Sequence, residues 1–120
     1  MGHFLTDGKA IDVVAPAGQY DFGDLFRISL WTGIALDTIA TADTVRDLSL
    51  ECSERIWKVK LPAITPAVGD FLYWTAGTGT KRGDTDLSLT VNGAPAAKVL
   101  IAKNAAGYAA VKVNPFAAVA

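Results

Sequence analysis

One cysteine and one histidine stand among the 120 residues, and these two scarcities exclude most side-chain chemistry at the outset. A single thiol cannot close an intramolecular disulfide, so no disulfide framework supports the fold. Cys52 follows Leu48 and Leu50 in an alternating series, which reads as a small core residue. The only histidine, His3, lies in the opening tail. A Ser-His-Asp or Cys-His arrangement needs a rigidly held base, and none is offered. Metal sites built on His and Cys need more ligands than one of each, so neither a metal nor a cofactor is expected. Charge is scarce too, at 19% of residues against about a quarter in an average domain. The eleven basic and twelve acidic residues are dispersed and leave a net charge of −1. With no basic run, a nucleic-acid groove is not expected. No apolar stretch approaches the roughly 20 residues of a membrane span. Met1-Gly2-His3-Phe4 is not a basic segment leading into an apolar one, so a signal peptide is not expected either. The expectation is a soluble protein kept inside the cell that makes it.

Carboxylates are numerous enough to supply an acid/base pair, but Asp21, Asp24, Asp37, Asp43, Asp70, Asp84 and Asp86 all fall at turn-like positions, where Asp serves the backbone. An enzyme is therefore not expected. Gly77-Thr78-Gly79-Thr80-Lys81 resembles a phosphate-binding loop, yet it lacks the Walker spacing and a following helix; it reads as a connection between strands, with Lys81-Arg82 solvated. Arg82-Gly83-Asp84 matches an adhesion tripeptide, but a turn explains those three residues fully. Trp31, Trp57 and Trp74, with Tyr73, sit within strand-like runs. They read as core or as a surface where another subunit packs, since aromatics are enriched at such contacts.

What the chain does have is a period of two. Phe26, Ile28 and Leu30 alternate with Leu25, Arg27 and Ser29 in a run continuing through Leu36; Leu48, Leu50 and Cys52 oppose Asp47, Ser49 and Glu51; Trp57, Val59 and Leu61 oppose Lys58 and Lys60. Phe71 to Trp74, then Leu87, Leu89 and Val91, then 97–102 and 109–113 complete the series. Turn chemistry separates these runs: Gly23, Val68-Gly69-Asp70, Arg82-Gly83-Asp84, Asn92-Gly93 and Ala106-Gly107 supply positions that Gly or Asn adopts cheaply. Asn92-Gly93 predicts a tight turn between strands, and 103–108 a hairpin joining the last two strands. Helix signals are weak, the best being 39–45. The fold class is all-β: a small single-domain β-barrel or compact sandwich of about seven to eight short strands. One core's worth of chain is present. It divides into an N-terminal arm (1–9), a barrel (10–114) and a C-terminal tail (115–120). Both ends are apolar without a period, as segments are that order against something else or that simply fray.

Residues 18–114 also resemble a family, the phage capsid cement or decoration proteins of prophage head modules. The similarity runs through Gly23-Asp24-Leu25-Phe26, the Trp31-Thr32-Gly33-Ile34-Ala35-Leu36 segment and Trp57-Lys58-Val59-Lys60-Leu61-Pro62. It is densest at Ile64-Thr65-Pro66-Ala67-Val68-Gly69-Asp70-Phe71-Leu72-Tyr73-Trp74, and an Ala- and Val-rich hairpin closes it. The chain departs from the family where a compact turn after the Tyr-Trp strand is expanded into 75–86. The resemblance implies a virion protein without catalytic residues, made in the bacterial cytoplasm. It would bind the major capsid protein on the exterior of an expanded head as a homotrimer, and would contact neither nucleic acid nor membrane. Its capsid or subunit contacts are expected among Phe4, Leu5, Trp31, Trp57, Tyr73, Trp74, Pro115 and Phe116. The alternatives are another oligomeric head or tail component, or a monomeric β-barrel module that grips a peptide or sugar through Tyr73 and Trp74.

Overall fold

Alternating hydrophobicity becomes strand pairing in the computed structural model, which describes residues 10–15, 23–28, 31–35, 44–49, 55–77 and 81–114. The described residues form ten strands and no helix: β1 (Ala10–Ala15), β2 (Leu25–Ile28), β3 (Trp31–Ala35), β4 (Thr44–Ser49), β5 (Ile56–Lys60), β6 (Phe71–Trp74), β7 (Lys81–Arg82), β8 (Leu87–Ser88), β9 (Ala97–Ile101) and β10 (Tyr108–Val113). They make two antiparallel five-stranded sheets, ordered β1-β4-β3-β2-β7 and β5-β10-β9-β6-β8. The protein is thus all-β and barrel-like, as its period of two predicts. The arm and tail expected at the two ends lie outside the described residues, as does 39–43 of the weak helix candidate; its last two residues, Thr44 and Val45, are in β4.

Three local expectations change. The single run expected from Asp24 onward is two strands: β2 ends at Ile28, β3 begins at Trp31, and they pair with Leu25 opposite Ile34. The strand expected through Leu87, Leu89 and Val91 stops at Ser88, and Leu89 and Val91 are exposed. Asn92-Gly93 is no hairpin between paired strands, since β8 pairs with β6 while the following β9 pairs with β6 and β10. Asn92 instead donates its side-chain amide to the Trp74 carbonyl oxygen at 2.7 Å. That bond ties the long β8–β9 connection to the end of β6. The strand β1, which sequence periodicity did not mark, pairs along its whole length with β4.

Other turns form as their residues predict. Gly69 has φ +92°, and Asp70 closes the turn by accepting the Ala67 amide on Oδ2 at 2.8 Å. At the last hairpin, Gly107 (φ +95°) follows Asn104, whose Oδ1 accepts the Tyr108 amide at 3.0 Å. Both glycines occupy the left-handed region that a side chain strains.

The two sheets share one core. Leu25 and Ile34 of the first sheet cluster with Val59, Leu72, Trp74, Leu87, Val99, Val111 and Val113 of the second. Cross-strand pairs stack this inner layer: Val111 stands opposite Val99 and Trp57, and Ala109 opposite Val59. Contacts of this kind supply most sheet stability. A buried polar bond crosses between the sheets. Trp74 Nε1–H donates to Thr32 Oγ1 at 2.9 Å, with both residues fully buried. Near it, β7 approaches β2 closely: Gly83 N–H donates to the Leu25 carbonyl at 2.7 Å, and a Cβ on Gly83 would stand 2.9 Å from that oxygen. Arg27, also buried on β2, has its guanidinium pKa lowered by desolvation.

Candidate functional site

Period-two alternation gives the second sheet an inner and an outer face. Inward go Val59, Leu72, Trp74, Ala97, Val99, Ala109, Val111 and Val113, all buried. Outward go Ile56, Lys58 and Lys60 of β5, Tyr108, Ala110 and Lys112 of β10, Lys98 of β9, and Phe71 and Tyr73 of β6. A register shift at Ala110/Val111 sets Ala110 opposite Ile101 and Val111 opposite Val99. The extra β9 residue is therefore Leu100. Such a bulge re-aims the side chain after it, and Leu100 and Ile101 both come to the outer side: Leu100 is half-buried and Ile101 is 65% exposed.

The resulting surface is apolar and basic together. Ile56 (62% exposed), Phe71 (44%), Ile101 and Tyr108 are all open to solvent. Register lines up Ile56, Lys112, Lys98 and Phe71 as one row across four strands. Lys98 Nζ lies 5.3 Å from the Phe71 ring centroid, and Lys58 Nζ 5.7 Å from that of Tyr108. None of the outward side chains of β5, β10, β9 and β6 is a carboxylate. Asp70, next to Phe71 in sequence, is engaged by its own turn. Lys98 and Lys112 stand directly opposite each other across β9 and β10, an arrangement in which like charges oppose pairing.

Two depressions flank Phe71. One, of about 280 Å³, is lined by Phe71, Pro95, Lys98, Leu100, Lys112 and Val113, among others. The other, of about 230 Å³, lies among Asp70, Phe71, Tyr73, Leu89 and Val91. Both fall below the roughly 300–1,000 Å³ of pockets that enclose a drug-sized ligand. Their size suits single side chains of a partner.

The expected contact residues separate. Phe4, Leu5, Pro115 and Phe116 lie outside the described residues, and only the backbone of Trp31, in β3, is described. Trp57 is half-buried and packs against the core. Tyr73 is half-buried on the outer side. Trp74 is corrected: it faces inward, fully buried, with its indole N–H spent on Thr32, and it presents no surface to a partner. A shared Tyr73–Trp74 platform does not exist, because adjacent strand residues point to opposite faces. The lysine face went unseen because Lys58, Lys60, Lys98 and Lys112 come from three strands and form no run in sequence. Parity within each strand marks them as outward; only strand order brings them together.

The described residues of the remaining motifs are held by the fold. Lys81 and Arg82 are paired strand residues opposite Arg27 and Phe26, not a solvated loop. Lys81 Nζ donates to the Ala76 carbonyl at 3.1 Å. Within the adhesion-like tripeptide, Arg82 grips Asp84 with both Nη2 (2.6 Å) and Nε (3.1 Å), and Gly83 is buried. The two charged ends of the motif are thus turned onto each other. No group of three His, Cys, Asp or Glu residues able to hold a metal occurs among the described residues, and no helix among them is long and apolar enough to cross a membrane. No family model, curated protein or solved structure matches the chain.

Proposed function

We propose that the chain is a non-catalytic structural protein that decorates the exterior of an expanded tailed-phage head, bound as a homotrimer to the major capsid protein. The observation that carries the docking part of this reading is the outer face of the second sheet. Its apolar side chains stand in solvent beside lysines, and none of the outward strand residues around them is a carboxylate. Exposed apolar surface rimmed by polar groups is characteristic of protein contacts. The capsid as partner, the trimer and the virion location rest on the resemblance of residues 18–114 to the decoration family. A protein that binds only the assembled shell stabilises that shell by mass action. Symmetry then repeats each modest contact many times over.

The test is the absolute mass of the purified chain by light scattering, combined with cosedimentation on expanded capsids of the phage or prophage that encodes it. Saturable binding near three copies per capsid three-fold position supports decoration. A chain that stays in the supernatant at every ratio overturns it.

A further inference from the structure

Lys98 and Lys112 present the clearest local conflict in the described fold. Sheets are stabilised by complementary cross-strand pairs, and like charges directly opposite work against them. Here the two lysines face each other in register, and no outward side chain of the four neighbouring strands offers a carboxylate. A departure of this kind from otherwise consistent strand chemistry marks a functional position. Beside the pair lies the groove of about 280 Å³, lined by Phe71, Pro95, Leu100 and Val113 together with Lys98 and Lys112 themselves. The bulge at Leu100 turns the next residue, Ile101, out of the core and onto the same side.

We infer that this outer face receives an acidic protein segment, which seats one large apolar side chain in the groove between Phe71 and Leu100 while its flanking carboxylates meet Lys98 and Lys112. The inference rests on the docking role proposed above and adds the chemistry of what docks. An apolar anchor within a charged rim is the usual anatomy of a protein interface. The groove is too small for a whole cofactor but matches a single side chain. A nucleic-acid strand fits less well. Phosphate binders commonly make about six to ten backbone contacts, whereas this face supplies Lys58, Lys60, Lys98 and Lys112 on a chain of net charge −1.

The experiment is a titration of the isotope-labelled full chain, followed through its backbone amide resonances. The probe is a short capped peptide with one central phenylalanine between runs of glutamate. Three controls accompany it: the peptide with serine for phenylalanine, the peptide with lysine for glutamate, and an oligo-dT of similar length. The expected result is movement of resonances in 97–101 and 108–113 with the acidic phenylalanine peptide, weaker binding without the phenylalanine, and loss as salt is raised. Lys112→Glu places a carboxylate opposite Lys98 and cancels two positive charges at once, so binding falls about tenfold, consistent with two exposed charge pairs. Lys112→Met lowers it less. Absence of shifts on this face, equal binding of the lysine peptide, or tighter binding of oligo-dT would overturn the inference. A chain that binds the peptide here yet ignores capsids overturns decoration and leaves the inference standing; one that sediments with capsids yet ignores the peptide does the reverse.

Discussion

The bond from Trp74 to Thr32 joins residues 42 apart in sequence across the two sheets, and it gives the sharpest test of how the halves are held together. Thr32→Val keeps the shape of the side chain and removes the acceptor for the indole N–H. That donor stays in a fully buried site, where losing its partner costs about 1–3 kcal/mol. Trp74→Phe removes the donor and shrinks a fully buried side chain, and core truncations of this kind cost on the order of 2–4 kcal/mol. In the double variant no indole N–H is stranded, so Thr32→Val should cost far less in the Trp74→Phe background than alone. The coupling in the double-mutant cycle is then about 1–2 kcal/mol. Urea denaturation of the four proteins measures it, read from the midpoint at constant slope. A Thr32→Val protein within about 0.5 kcal/mol of the parent, the ordinary range for an innocuous surface change, would refute the bond between the sheets.

Other perturbations separate causes that look alike in sequence. Gly83→Ala and Gly69→Ala should both destabilise, for different reasons. The first drives a methyl to 2.9 Å from the Leu25 carbonyl oxygen and disturbs the β2–β7 pairing, with a cost of about 1–3 kcal/mol for overpacking. The second meets open space but holds φ at +92°, a strain of about 1–2 kcal/mol; thermal melts of the pair should leave Gly83→Ala no more stable than Gly69→Ala. Lys103→Met removes the ammonium that donates to the Pro62 carbonyl at 2.7 Å and the Ile64 carbonyl at 3.2 Å. It should cost about 1–2 kcal/mol and speed amide exchange at Leu61 and Ile64. Lys112→Glu turns a repulsive cross-strand pair into an attractive one, so it should raise stability by a few tenths to about 1 kcal/mol in low-salt melts while weakening docking. A fall in stability would contradict the register on which the lysine face depends.

The all-β class was legible from alternation, because a half-buried pleated surface imposes period two on its sequence. The β9–β10 hairpin and the Gly69-Asp70 turn were legible because their closing groups, Asn104 Oδ1 and Asp70 Oδ2, act within a few residues. The division of the run after Asp24 was not, since alternation continues across a reversal without a break. Asn92-Gly93 misled for a tertiary reason: its amide is used on a strand 18 residues away. The site was hidden differently. Tyr73 and Trp74 are neighbours in sequence, but period two places them on opposite faces. The lysine pair depends on β9 lying between β10 and β6, and the outward turn of Ile101 depends on a bulge that no residue type announces.

Lysine footprinting on the assembled shell tests the docking face most directly. The chain is acetylated free and capsid-bound under identical conditions, and the labelling ratio at each lysine is read by mass spectrometry. The account predicts strong protection of Lys98 and Lys112, lesser protection of Lys58 and Lys60, and no change at Lys81, which sits on the other sheet. Equal labelling of Lys98 and Lys112 in the two states, with the chain demonstrably bound, would contradict it.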